Sequence, residues 1–402
     1  MIHYDPFDDV MKEDPFPVYA QLRAESPVHY VKAYDTWAFA LFEDVWNAGQ
    51  NPELYPSPGP ALGTIVNTSS DEEALNRESM FVLNPPYHTQ IRKALASLYN
   101  PRGVAKLEAH IRGTVGRCLD RELPTGRMDV ISDLGLHVSV EVASLLIGLP
   151  LEDSDLLVSI VRRFFTRVPG IDGMPPDARV ASAELNEYLL EAAKDRRKKG
   201  TPGDGSDALD VFMNLEADEG PLDDERVSSH LQILVVGGTE TLPKVFAGGI
   251  IQLHRHPDQR AELVADPSLI PTAFQEIARY EMPTQFLTRT VGRDHELRGR
   301  KLAAGQGVMF LYRSANRDAN EFEDPDRFDI HRKAQRILSF GQGTHVCLGQ
   351  HAAKLEAKVL YEELLAAVPE YHLDESEVVP ERSEFVAGYV SVPIHFEQGS
   401  RA

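Results

Sequence analysis

The 402-residue sequence is poor in cysteine: Cys118 and Cys347 are its only two. They can form one disulfide at most, which excludes a disulfide-framed secreted scaffold, and a reducing compartment would leave both free. Positive charge is also scarce. Lys and Arg number 41 against 62 Asp and Glu, a net charge of −21, and such a surface repels a phosphate backbone, so no nucleic-acid partner is expected. Long apolar runs are missing. Stretches such as Ile233 to Val236 fall far short of the roughly 20 residues that cross a bilayer, so no membrane span is expected. The opening MIHYDPFDDVMKEDPFP has neither the basic end and apolar core of a secretory signal nor the character of a transit peptide, which points to the cytoplasm. No repeat, low-complexity segment or interdomain linker interrupts the chain.

What is present is a globular composition, 42% hydrophobic with 17 Phe and 13 Tyr, enough for a sizeable core. Pro15 to Glu25 reads as a helix, followed by a hairpin of His29 to Lys32 and Thr36 to Phe42 turning at Ala33, Tyr34 and Asp35. Tyr55 to Pro86 mixes turn residues with Ile65, Val66, Phe81 and Val82 and reads as a lid or pocket wall. Three or four helices are expected between His88 and Leu149, and a further pair around the breaker segment Val168 to Asp177 forms a mobile hairpin. Leu222 to His254 reads as one helix of about 30 residues, roughly 50 Å long. Another covers Pro271 to Glu281, strands lie between Phe286 and Leu311, a last helix spans Leu348 to Val368, and short strands close the chain. The expected class is mainly α with small β-sheets.

The sharpest signal is Phe340-Gly341-Gln342-Gly343-Thr344-His345-Val346-Cys347-Leu348-Gly349. A cysteine after a glycine-punctuated loop and before a helix has first-turn N–H groups aimed at its sulfur, which favours the thiolate that binds metal. Glycines at 341, 343 and 349 let a flat cofactor approach the backbone, and Phe340 can pack on its face. A lone cysteine is otherwise most often core. His345, Cys347 and His351 also offer zinc ligands, without a fourth nearby or the usual spacing.

Other patterns are weaker alone. Glu276 and Arg279 share a helical face and can pair. His88 and Arg92 lie one turn apart, able to face one anion or simply solvent. Gly237-Gly238 within a helix costs about 2 kcal/mol relative to alanine, which either a close helix crossing or a large flat ligand against the backbone would offset. Pro243 lacks an N–H for the Thr239 carbonyl, so the helix should kink there.

The ten-residue loop resembles the axial-ligand loop of the cytochrome P450 superfamily, especially its soluble bacterial members, and the resemblance runs from about Tyr19 to Phe396. It implies the P450 fold across one haem-thiolate domain, residues 1–402. Cys347 would be the proximal ligand of haem b, iron protoporphyrin IX. His345, His88, Arg92 and Arg289 would hold the propionates, and Phe340 would shield the sulfur. Glu240 and Thr241 resemble the acid and alcohol pair that delivers protons during dioxygen activation, although Leu242 replaces a frequent second hydroxyl residue. Glu276, Arg279 and Arg327 would form a structural network, and Ile233, Val236, Gly237, Gln285, Phe286, Phe385 and Val386 would line the substrate pocket, with Gln285 its polar contact.

The activity implied is a monooxygenase that hydroxylates a small, mainly apolar organic substrate with dioxygen. Its two electrons would come through a ferredoxin and ferredoxin reductase, docking on Arg327, Arg332, Lys333 and Arg336 with Arg92, Lys93, Lys354 and Lys358. The alternatives are a peroxide-driven haem peroxygenase and a non-catalytic haem-based ligand sensor.

Overall fold

The computed structural model describes residues 2–57, 79–168, 171, 174–200, 205–217, 220–383 and 385–401. Most of the expected lid, Tyr55 to Pro86, and part of the breaker segment, Val168 to Asp177, therefore lie outside the described residues. The helices follow the apolar periodicity closely: α1 Phe16–Glu25, α2 Tyr87–Tyr99, α3 Glu108–Glu122, α4 Leu136–Ile147, α5 Ser154–Phe165 and α6 Pro176–Lys198. Local signals set their ends. Helix α6 starts on Pro176, whose missing N–H would have had no helical partner, and stops in Arg196, Arg197 and Lys198, which complement the negative end of the helix dipole.

The expected single helix over Leu222 to His254 is two. Helix α7, Asp224–Thr239, is capped by the Asp223 side chain, which accepts from the Arg226 N–H, and α8 covers Thr241–Arg255. The break falls on Glu240, φ −97° and ψ −46°, four residues after Val236 and three before Pro243, where a proline removes the N–H that would continue the ladder. A π-helical turn over Val130–Gly135 packs against this kink. A Cβ on Gly135 would lie 3.3 Å from the Pro243 Cα, so the approach depends on glycine. Helices α9, Ile270–Tyr280, and α10, Gln350–Ala367, complete the frame. Helix α6 packs on α5 and α7, α7 on α4, and α10 on α3 and α9.

The main sheet has four strands: β1 Val28–Val31, β2 Thr36–Phe39, β3 Leu287–Thr290 and β4 Gly307–Phe310. The expected hairpin forms, with Val28 opposite Phe39. Strand β2 runs parallel to β4, Trp37 beside Val308, and β3 pairs antiparallel with β4, Arg289 beside Val308. Helices Val130–Ile147 and Asp224–Arg255 are long and apolar enough to cross a membrane by length and composition, which the count of uninterrupted apolar residues did not register, yet 67% of each 18-residue window is buried. They are core helices of this fold.

One expected member of the structural network is corrected. Arg279 is fully buried and donates through Nε and Nη2 to both oxygens of Glu276 at 2.7 Å. The third cation is Arg332, whose Nε reaches Glu276 Oε1 at 3.1 Å. Arg327 instead pairs with Asp329 at 2.9 Å, its side chain 66% exposed, and gives the network only its backbone carbonyl. Arg332→Ala should therefore destabilise the protein by about 3 kcal/mol, as for one partner of a buried pair, and Arg327→Ala by under about 1 kcal/mol, as for an exposed pair. Denaturant unfolding of the two variants distinguishes them.

Helices α10 and α4 meet at a buried carboxyl. Ser139 Oγ donates to Glu356 Oε2 at 2.8 Å, and burial pushes the Glu356 carboxyl from 4.5 up to about 8, against the opposing effect of that hydrogen bond. The folded state thus keeps a proton that the unfolded chain releases, so stability is full below pH 4.5 and is lost as pH rises toward 8. Glu356→Gln should flatten this dependence, gaining on the order of 3 kcal/mol at pH 8 relative to pH 5, read from thermal or denaturant unfolding at the two pH values.

Candidate functional site

The loop before α10 is shaped by two glycines with positive φ, Gly341 at 68° and Gly343 at 77°. A Cβ on Gly343 would lie on the Gly49 carbonyl, so this turn admits no other residue. Within it Val346 N–H donates to the Gly343 carbonyl at 3.1 Å and Cys347 N–H to the Phe340 carbonyl at 2.7 Å. The result brings Cys347 back beside Phe340, whose ring carries Lys354 Nζ 5.3 Å from its centroid.

Cys347 has two environments at once. Its surface is exposed, yet it lies deep among protein atoms, where burial pushes its thiol up while the Gly349 and Gln350 N–H groups, Arg92 and Lys354 pull it down. A side chain that is both deep and accessible faces an internal void. The same holds for Gly237 and Gly238, exposed although they lie in a largely buried helix. A Cβ on Gly237 or on Gly349 would meet nothing within 4 Å.

A cluster of basic side chains, two arginines and two histidines, adjoins the cysteine. Arg92 Nη2 donates to the Val346 carbonyl at 2.6 Å, Arg289 Nη1 to the Thr288 carbonyl at 2.7 Å, and His88 stacks on His345 with centroids 4.0 Å apart. The Ser57 hydroxyl meets His345 Nε2 at 2.8 Å. His88 is driven down to about 4 by burial first, then by Arg92 and Arg289, and burial followed by the same arginines and His88 lowers His345 further. Among the described residues no carboxylate forms an ion pair with any of the four, and His88 Nδ1 is buried without a hydrogen-bond partner. Buried polar atoms are nearly always satisfied. An anion accepting from these groups would complete them, and a thiol at a void wall beside two arginines and two histidines fits an iron porphyrin with its propionates on the cluster.

The zinc alternative does not assemble: among the described residues no three His, Cys, Asp or Glu side chains converge to hold a metal ion.

The expected pocket residues divide. Ile233, Val236 and Gly237 keep accessible surface. Gln285 does not serve as a free polar contact: it is 2% exposed, its Nε2 donates to the Ser383 carbonyl at 2.9 Å, and its Oε1 accepts from the Tyr19 hydroxyl at 3.4 Å. Phe286 is buried in the cluster of Tyr19, Leu22 and Ala38 and meets Phe385 edge-on at 5.8 Å. Val386 is buried and bridges Thr284. The register of the segment after α9 decides this, and single-sequence pattern does not.

Glu240 is buried too, with Lys244 Nζ at 2.7 Å from Oε1. Thr241, which opens α8, keeps part of its surface. Sequence reasoning passed over Ser57, Lys244 and Glu381, and put Arg332 on the docking surface rather than on Glu276. Only Lys244, four residues after Glu240, left a visible sign.

Comparison with known proteins gives the family. The cytochrome P450 family profile matches residues 171–383. Cytochrome P450-terp of a Pseudomonas species is 31% identical, covering 95% of this chain and 93% of its own. The methyl-branched lipid omega-hydroxylase of Mycobacterium tuberculosis is 30% identical, covering 96% and 91%. CYP109E1 from Bacillus megaterium in complex with testosterone superimposes with a TM-score of 0.85 at 26% identity, covering 97% of this chain and 99% of that one. The chain belongs to the cytochrome P450 family, whose members are haem-containing monooxygenases that use dioxygen, an organic substrate and redox partners.

His88→Ala and Arg92→Ala should each speed transfer of haem from the purified protein to an excess of a haem-scavenging protein. Losing a charge-assisted hydrogen bond of about 1.5 kcal/mol corresponds to roughly tenfold. Unchanged transfer rates would show that these side chains do not hold the propionates.

Proposed function

We propose that this chain is a single haem b domain over residues 1–402, acting in the cytoplasm. It hydroxylates a small, mainly apolar organic molecule with electrons delivered by a ferredoxin and its reductase. The observation that carries the reading is the Cys347 sulfur on a void wall, met by helix N–H groups and flanked by four basic side chains that, among the described residues, pair with no carboxylate. Haem, when bound there, supplies a thiolate-ligated iron that activates dioxygen.

The chain's own residues do the rest. Gly349 and Gln350 N–H groups steady the negative sulfur. Arg92, Arg289, His88 and His345 fix the porphyrin carboxylates and hence its orientation. The exposed glycine pair of α7 leaves room for substrate and dioxygen, while the partly buried Ile233 and Val236 favour hydrocarbon. Glu240 and Thr241, at the helix break, hold and pass protons. A lipid hydroxylase and a testosterone complex among the relatives support an apolar substrate class.

For the redox partner, the stretch Arg327 to Arg336 offers less than its sequence suggests. Arg332 turns inward to Glu276, Arg327 pairs with Asp329, and Arg336 with Glu43 and Glu321. Lys93, Lys333 and Lys354 stay exposed and are the cations we assign to docking.

The ferrous, carbon-monoxide-treated protein should show a thiolate-bound haem spectrum that Cys347→Ser abolishes; an imidazole-type spectrum in the native protein would overturn the reading. A binding screen read by the haem absorption shift then selects a substrate. With it, Thr241→Ala should lower product per electron pair several-fold and release the difference as hydrogen peroxide or water. Turnover with peroxide but never with dioxygen and ferredoxin would favour a peroxygenase, and reversible gas binding without product a sensor.

A further inference from the structure

The break in the long helix exposes a charge imbalance that the family reading does not use. Lys244 Nζ lies 2.7 Å from Glu240 Oε1 and 3.1 Å from Glu381 Oε2, and all three side chains are at most 8% exposed. Within this triad two carboxylates share one ammonium, one negative charge in excess before the less buried arginines at the cavity are counted, and burial favours keeping one proton there. The C-terminal loop is shaped to close on the lysine. Glu381 N–H donates to the Gly388 carbonyl at 2.9 Å, and at Gly388, φ 133°, a Cβ would lie 3.0 Å from the Lys244 Cβ.

Glu240 and Lys244 also line a cavity of about 620 Å³ between the end of α5, the helix break and the C-terminal strands. This cavity shares no lining residue with the cysteine loop. Its inner wall carries the triad, and its rim includes Val379 and Val390, 48% and 53% exposed. The other charged or titratable groups facing it are Arg162, Arg167, Arg382 and Tyr389. Burial raises the Glu240 carboxyl above its ordinary range, Lys244 opposes this, Glu381 adds to it and Arg167 opposes it.

We propose that Lys244 is a positioning residue for proton delivery and that this cavity is the water-side entrance of the relay. Lys244 clamps the Glu240 carboxyl between helix and Glu381, and the triad stores one proton. That proton leaves Glu240 toward Thr241 and is replaced by one from a cavity water, whose loss bulk solvent makes good; no other bond changes. The inference rests on the reading that Glu240 and Thr241 carry protons.

The test uses the haem-loaded full chain carrying Glu356→Gln, which removes a second buried carboxyl whose burial favours its protonated form. Infrared spectra in light and heavy water should contain a protonated-carboxyl band that Glu240→Gln or Glu381→Gln removes, the latter because it balances the charge at nearly constant volume. Lys244→Met should shift the band, slow dioxygen uptake driven by ferredoxin several-fold and enlarge its solvent isotope effect, with Lys244→Arg restoring most of both. The carbon-monoxide spectrum verifies folding, and if Lys244→Met does not fold, Glu381→Gln alone decides by band and isotope effect. A native band and isotope effect in Lys244→Met or Glu381→Gln, with Thr241→Ala still uncoupled, overturns the proposal and leaves the reading standing. Native behaviour of both Thr241→Ala and Glu240→Gln removes the reading and the proposal together.

Discussion

A sulfur anion in a protein interior survives only if dipoles and cations face it, because burial by itself favours the neutral thiol. Much of the architecture around Cys347 meets that condition. The glycine turn at 341 and 343 folds the loop back so that the sulfur sits at the start of α10, where the Gly349 and Gln350 N–H groups reach it. Arg92 comes from α2 to bind the neighbouring Val346 carbonyl, tying a helix more than 250 residues away to the loop. The Glu276, Arg279 and Arg332 network braces the meander that leads into the loop, since Arg279 also binds the Asn316 and Pro325 carbonyls at 2.8 Å.

The second constraint is the break at Glu240. A continuous helix would satisfy its backbone better, and the glycine pair is a local weakness of about 2 kcal/mol. What these defects provide is space and access: open volume beside Gly237 and a buried carboxyl that borders a second cavity. Packing on the π-helical turn through Gly135 holds the irregular backbone in place. The conflict between local propensity and tertiary structure is concentrated where the proposed chemistry is, as expected when function rather than stability fixes a segment.

Much of this was legible in the sequence, for physical reasons. The mainly helical class follows from apolar periodicity, and the cysteine loop from glycines whose backbone freedom no other residue replaces. The kink follows from Pro243, which breaks a helical hydrogen bond in any context. These are local properties of the chain, and they already defined the family. Partner choice among equivalent side chains belongs instead to the tertiary structure. Arg327 and Arg332 both follow Glu276 on the same meander, and only the turn of that meander sends Arg332 inward. Gln285 could have faced a ligand, but Ser383 of the C-terminal loop takes its Nε2 and Tyr19 of α1 its Oε1. Glu381 meets Lys244 across 137 residues, a distance over which sequence spacing carries no information because the closing of the chain, not its local pattern, sets which charges share a buried site.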